Sequence, residues 1–264
     1  MNRIDAKFKE LKRQNKKAFI AFITAGYPNL RITRELILKF SEIGVDIIEL
    51  GVPFSDPMAD GPLIQESSQV ALRQKVNLID ILRLVKKVRL VTQMPICLMT
   101  YYNPVFCFGE ERFLRSAKAS GVDGVIIPDL PPEEAKTLMR LATKFSIDII
   151  FFISPTTLQK RMKFISKVSK GFIYYISLTG VTGPRQELSS DLLRNLKEIK
   201  KYTSKPVCVG FGVSNRRQVS LIYRISSGVI VGSAIIKKIK ENIRRPDLVL
   251  VKRVCNFVRT LKDV

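Results

Sequence analysis

DIIELGVPFSDPMADGPLIQ, residues 46–65, reads as one complete unit: an apolar run, a loop and the start of a helix. The run at 47–50 is short, as a buried strand is. Two Pro-containing turns follow, and helical spacing resumes near 64–75. The same alternation recurs along the chain. Apolar runs lie at 19–24, 47–50, 96–99, 124–127, 149–153, 173–177, 207–210 and 228–231. Amphipathic stretches separate them at 31–43, 78–91, 111–120, 132–145, 158–168, 191–202 and 215–225. Strands alternating with helices predict parallel βαβ units. Eight such units in about 210 residues fit a closed (β/α)8 barrel better than an open sheet. The expected fold is therefore α/β, a single TIM barrel over residues 1–264. It has a helix before the first strand and an additional helix after the second. No linker, low-complexity block or shift in composition divides the chain.

The 46–65 stretch also carries chemistry. Glu49 stands near the end of its apolar run, and Asp56, Asp60 and Glu66 follow. A buried carboxylate without a partner costs several kcal/mol, so an acid at a strand end needs a reason. One reading makes Glu49 and Asp60 an acid/base pair converging on one pocket. The other makes Glu49 half of a buried salt bridge and the rest ordinary turn acids. For a Glu in a strand taken alone the second is favoured, and the motif around this one reverses that; barrel topology adds that active sites form where strands run into the following loops. Polar and Gly/Pro-rich residues gather at those ends: Thr24-Ala25-Gly26, Tyr101-Tyr102-Asn103-Pro104, Pro128-Asp129-Leu130-Pro131 and Ser154-Pro155-Thr156-Thr157.

Composition narrows the chemistry. The chain has no histidine, which removes Ser-His-Asp and Cys-His catalysis and most zinc sites. Acid/base work falls to carboxylates, Tyr or Lys. Cys97, Cys107, Cys208 and Cys255 form no CxxC pair, and Cys97 and Cys208 sit in strand-like runs where buried thiols are common. No apolar segment reaches the ~18 residues of a membrane span. The N-terminus is basic and then apolar like a leader, but Gly26-Tyr27-Pro28 breaks the run and a small-residue cleavage pattern is missing. A cytoplasmic enzyme is expected. The net charge is +22, from 45 basic and 23 acidic residues. It raises nucleic-acid binding as a function. The cations are spread over the helices at solvated positions, however, and no helix-turn-helix, RNP or OB signature accompanies them. Weak, salt-sensitive adhesion to polyanions is expected, and specific nucleic-acid recognition is not.

Three glycine-bearing segments follow the last strands: Gly180-Val181-Thr182-Gly183, Gly210-Phe211-Gly212-Val213-Ser214 and Gly232-Ser233-Ala234. Glycine lets backbone N–H groups approach an anion, and a following helix start adds partial positive charge. Plain turn glycines are the alternative. Three at matching strand ends favour a phosphate seat, which barrels often build after strands seven and eight.

These motifs resemble one family. Phe22-Ile23-Thr24-Ala25-Gly26-Tyr27-Pro28, Glu49-Leu50-Gly51-Val52-Pro53-Phe54-Ser55-Asp56-Pro57, Ala59-Asp60-Gly61-Pro62, Tyr102-Asn103-Pro104, Gly180-Val181-Thr182-Gly183 and Gly210-Phe211-Gly212-Val213 closely resemble the tryptophan synthase α subunit family, in order and over nearly the whole chain. The resemblance implies retro-aldol cleavage of indole-3-glycerol phosphate to indole and glyceraldehyde 3-phosphate, a lyase step of tryptophan biosynthesis. It implies Glu49 as the general acid/base and Asp60 as the acid that hydrogen-bonds the indole N–H. Phe22, Met99, Ile126 and Tyr174 would wall the indole. Thr182 would sit on a closing loop that contacts the Asp60 loop. Gly183, Phe211, Gly212, Gly232 and Ser233 would hold the phosphate. The family works as an α2β2 complex in which indole passes to a β subunit. Pyridoxal phosphate is expected only in that partner, and no cofactor or metal in this chain. The loops with Pro53 to Asp60, Asn103-Pro104 and Asp129 to Pro132 would face β.

The chain departs from the family pattern at Leu178, where many members carry Arg two residues before the GVTG run, and at the wall positions Met99 and Pro128. The basicity is not a family trait. A free-standing indole-releasing lyase, a subunit that activates β without cleaving substrate, and another phosphosugar barrel enzyme are the competing readings. The absence of histidine and of metal-ligand clusters weighs against the last.

Overall fold

The computed structural model describes residues 2–176, 190–210 and 212–264. Nine strand segments, all parallel, make one sheet: β1 (Ala18–Thr24), β2 (Ile47–Gly51), β3 (Ile96–Met99), β4 (Gly124–Ile126), β5 (Asp148–Ile150), β6 (Phe152–Ile153), β7 (Ile173–Ile176), β8 (Val207–Gly210) and β9 (Gly228–Val231). Their order is β5-β4-β3-β2-β1-β9-β8-β7-β6. The two edges, β5 and β6, are consecutive in the chain, so the barrel closes through the chain itself. The single fifth strand expected at 149–153 is divided at Phe151. Its first half pairs with β4 and its second with β7. At the break, Phe151 N–H donates to Ser169 Oγ (3.2 Å) and its carbonyl accepts from Tyr174 N–H (3.1 Å).

Every residue of β1, β2, β8 and β9 is buried. That is why these strands read as continuous apolar runs: a parallel barrel strand is covered on both faces. The helices are α1 (Arg3–Arg13), α2 (Leu30–Glu42), α3 (Pro62–Arg73), α4 (Leu78–Val88), α5 (Tyr102–Phe108), α6 (Glu110–Ser120), α7 (Lys136–Phe145), α8 (Gln159–Val168), α9 (Ser190–Tyr202), α10 (Arg216–Tyr223), α11 (Ser233–Asn242) and α12 (Asp247–Lys262). Asparagine side chains start several of them, and at α4 Asn77 and Asp80 form a full capping box. The additional helix after the second strand is α3, as expected. Helix α5 replaces the loop expected at 101–104. Pro104 is its third residue, where the missing N–H has no helical partner to lose. Helix α7 starts at Lys136 rather than 132, because Glu134 and Ala135 N–H groups turn back onto Pro131 O.

Helix α1 closes the end of the barrel where the strands begin. Its Ile4, Phe8 and Leu11 join Ile20, Ile47, Cys97, Ile126, Ile150, Phe172, Cys208 and Ile230 in one interior cluster. Beside it the buried Asp123 pairs with Arg89 at 2.6 Å and with Arg3 at 2.9 Å, and accepts from Ile96 N–H. The opposite end, where the strands finish, is left open for the site.

Candidate active site

Glu49 is the third residue of β2, in register with Phe22 on β1 and Cys97 on β3. This register points its side chain into the barrel, where it is 1% exposed. Neither carboxylate oxygen has a hydrogen-bond partner among the described residues. The expected alternative of a buried salt bridge is therefore not what surrounds it. Burial, with a smaller push from the charge of Asp60, raises the Glu49 pKa to about 8. At neutral pH Glu49 is a carboxylic acid with a proton to give.

Asp60 comes from the loop after β2, and four hydrogen bonds fold that loop back over the barrel. Val52 N–H donates to Met99 O (2.8 Å) and Asp60 N–H to Pro57 O (3.0 Å). Gln65 Nε2 donates to Asp60 O (2.8 Å), and Ala59 N–H to Tyr101 Oη (3.0 Å). The Tyr101 ring stacks on Phe54 with centroids 5.2 Å apart. Burial raises the Asp60 pKa to about 6, against the opposing influence of the Tyr101 hydroxyl. Two carboxyl groups thus share one region with separated pKa values, the lower one ionised and the upper one protonated near neutrality. At the end of β1, the buried Thr24 and Ser67 hydroxyls hydrogen-bond at 2.6 Å and tie α3, which follows the Asp60 loop, to the barrel.

Both carboxyl groups line a cavity of about 420 Å³. Phe22, Met99 and Tyr174, expected as walls, line it, and so does Pro128. Ile126 does not. Its side chain is wholly buried in the interior cluster described above, although its register partner Met99 reaches the cavity. Phe152, Ile176, Ile230 and Ile64 complete the apolar wall and were not singled out in the sequence. Alternation was the available signal: Ile176 follows Tyr174 by two residues, on the same face of β7. Two glycines make room for the aromatic walls. A Cβ on Gly210 would stand 2.7 Å from the Tyr174 ring and hydroxyl, and one on Gly51 would stand 2.7 Å from the Phe22 ring.

The remaining lining is of another kind. Gly212, Gly232 and Ser233 stand at the cavity. Gly212 has φ +73°, a conformation that favours glycine. Gly232 caps α11 with no side-chain hydrogen bond at the cap, and it and Ser233 line the cavity, so the start of that helix borders it. Such a helix start suits an anion. Thr182, Gly183 and Phe211, and also Leu178, lie outside the described residues. Among the described residues no group of three His, Cys, Asp or Glu side chains is placed to hold a metal ion. No helix among them is long and apolar enough to cross a membrane.

A closed parallel barrel, with two carboxyl groups facing an apolar cavity at its open end, defines a TIM-barrel enzyme of acid–base chemistry. Comparison with known proteins narrows the class. The family model described as tryptophan synthase alpha chain matches residues 8–264. The chain is 43% identical to the tryptophan synthase alpha chain of Thermoanaerobacter pseudethanolicus, with 100% of both chains covered. It is 47% identical to that of Geotalea daltonii, with 91% of each covered. A crystal structure of the tryptophan synthase alpha subunit of Legionella pneumophila superposes with TM-score 0.91 at 34% identity over 100% of both chains. A chain from the α2β2 tryptophan synthase complex of Pyrococcus furiosus gives TM-score 0.87 at 39% identity, covering 94% of this chain and 98% of that one. The chain belongs to the tryptophan synthase alpha chain family, enzyme subunits that cleave indole-3-glycerol phosphate.

Proposed function

We propose that the cavity takes indole-3-glycerol phosphate with its indole among Phe22, Met99 and Tyr174 and its phosphate at Gly212, Gly232 and Ser233. One observation carries the reading: Glu49 is buried, with no hydrogen-bond partner for either oxygen among the described residues, and faces the same cavity as Asp60. A carboxyl group kept neutral in this way is suited to proton transfer. Glu49 delivers its proton to indole C3, the carbon that bears the glycerol chain, giving an indolenine-like cation. Asp60, ionised, accepts the indole N–H and stabilises the positive charge as it develops. Glu49, now a carboxylate, removes the proton from the glycerol hydroxyl next to C3. The C–C bond breaks, its electrons restore the indole, and the hydroxyl-bearing carbon becomes the aldehyde of glyceraldehyde 3-phosphate. Glu49 ends protonated, so the cycle consumes no proton and calls for no redox partner.

The family resemblance extends the phosphate seat to Gly183 and Phe211 and gives Thr182 the closing role over Asp60. Ile126 supports the wall from beneath. The partner we assign is a tryptophan synthase β subunit in an α2β2 assembly, as in the Pyrococcus furiosus complex. Pyridoxal phosphate belongs to that partner, and the cytoplasm is the compartment of the whole. The test is indole release from indole-3-glycerol phosphate by the purified chain, alone and with a β subunit. Slow release alone and a large acceleration with β are expected. Fast release alone would replace the assembly with a free-standing lyase, and no release in either case would leave a subunit that only activates β.

A further inference from the structure

The charge of +22 takes no part in the chemistry above, and its place in the fold follows from helix polarity. The barrel helices run back from the open end, so their last turns share the face where the strands begin. Cations favour last turns, where they meet the negative end of the helix dipole. Lys87 of α4, Lys118 of α6, Lys167 of α8 and Lys200 of α9 are such residues. Barrel topology therefore gathers on one face charges that are scattered in the sequence.

Helix α1 crosses that face and adds to it. Lys9, Lys12, Arg13, Lys16 and Lys17 are exposed, and none has an ion pair among the described residues. A groove lies on each side of the helix. One of about 1300 Å³ separates α1 from the entries to β2 and β3, and one of about 370 Å³ separates it from the entries to β7 and β8. Lys9 and Lys12 line both. The acids of this end do little to neutralise it. Asp123 is buried between Arg3 and Arg89, Asp148 is buried as well, and Asp46, which lines the larger groove, is half-buried and accepts from Phe19 N–H. On α1 itself Glu10 is engaged with Lys7, which leaves Asp5 as the one exposed acid of the helix.

We propose that this face, opposite the active site, is a nucleic-acid-binding surface that holds a phosphodiester backbone on Lys9, Lys12, Arg13, Lys16 and Lys17. A ridge of cations between two grooves suits a flexible strand better than a flat lipid sheet. The one aromatic ring of α1, Phe8, is buried and offers no platform for a base. Binding is thus by charge and indifferent to sequence. The exposed Leu90 and Val91 at the rim are the feature a membrane would use instead.

The probe is a fluorescein-labelled oligouridylate of about 30 nucleotides, followed by anisotropy with the full chain from about 50 mM salt upward. A variant with Lys9, Lys12, Lys16 and Lys17 changed to Glu is compared with one carrying Glu at Lys136, Lys163, Lys197 and Lys252, exposed positions on helix flanks. Both lower the net charge from +22 to +14, so only location differs. The first should weaken binding by about tenfold or more and flatten the salt dependence, and the second by less than about threefold. A version with Gln at the first four positions guards against misfolding and should show a smaller loss in the same direction. Indole-3-glycerol phosphate cleavage, measured in parallel, should be unchanged in all. Equal losses in the two Glu variants, or no binding by the unaltered chain, would overturn the proposal. So would tighter binding to phosphatidylcholine vesicles containing about one-third phosphatidylserine than to the RNA, lost on Leu90→Lys.

Discussion

The Tyr101 hydroxyl acts on Asp60 to lower its pKa, opposing the burial that lifts it to about 6. The same hydroxyl accepts the Ala59 N–H at 3.0 Å while its ring stacks on Phe54, so one residue fixes both the loop and its carboxylate. Tyr101→Phe keeps the ring and removes the hydroxyl. The Asp60 pKa should rise further, and the acid limb of kcat/KM should move up by about 1 pH unit, the worth of a hydrogen bond to a charged group. The substrate phosphate titrates identically in both enzymes, so the displacement belongs to Asp60. Coincident acid limbs would remove Tyr101 from this role.

The paired carboxyl groups set a pH window. Asp60 must be ionised, which fails as pH falls through about 6, and Glu49 must hold a proton, which fails as pH rises through about 8. The kcat/KM profile of the free enzyme should be a bell between these limits. A profile flat from pH 7 to pH 9.5 would deny Glu49 the acid role.

Glu49 also carries a stability signature. Its folded pKa of about 8 lies above the ordinary 4.5. The contribution of the neutral acid is therefore complete below the ordinary value and is lost as pH rises through the folded one. Glu49→Gln cannot ionise. Its melting temperature, relative to the unaltered chain, should improve by about 5 °C or more between pH 5 and pH 9. A difference independent of pH would mean that Glu49 is not held neutral.

Gly210 stands against Tyr174 so closely that a Cβ would lie 2.7 Å from the ring. Gly210→Ala should drive the ring toward the cavity, raise KM and cost about 1–3 kcal/mol, as overpacking does. In a Tyr174→Ala background the same change should cost little, because the ring it displaces is gone. Equal costs in the two backgrounds would show that the close approach does not matter.

Much of the fold is legible in the sequence because buried parallel strands leave a simple mark. The runs at 96–99, 207–210 and 228–231 coincide with β3, β8 and β9. The division of the fifth strand leaves no such mark. Residues 148–153 stay apolar after Asp148, and the break at Phe151 comes from a change of strand partner and a contact with Ser169. Pro104 hid α5 by reading as a breaker when it sits in a first turn. In the site, Glu49 and Asp60 stood out as acids in an apolar context. Tyr101 did not, because its function depends on a partner loop 42 residues away in the chain. Ile126 shows the limit of motif and parity together: both give the inward face, and neither gives how far a side chain reaches.

The central claim is that the Glu49 carboxyl group moves the proton in cleavage. The most direct test is indole release from indole-3-glycerol phosphate by Glu49→Gln, with substrate saturating and the β subunit present. Gln keeps the size of the side chain and cannot exchange a proton at neutral pH. The account predicts a fall in kcat of about 100-fold or more, the scale of general acid–base catalysis, with the fold and the association with β intact. A folded, β-bound Glu49→Gln enzyme that retains more than a trace of the rate would contradict it.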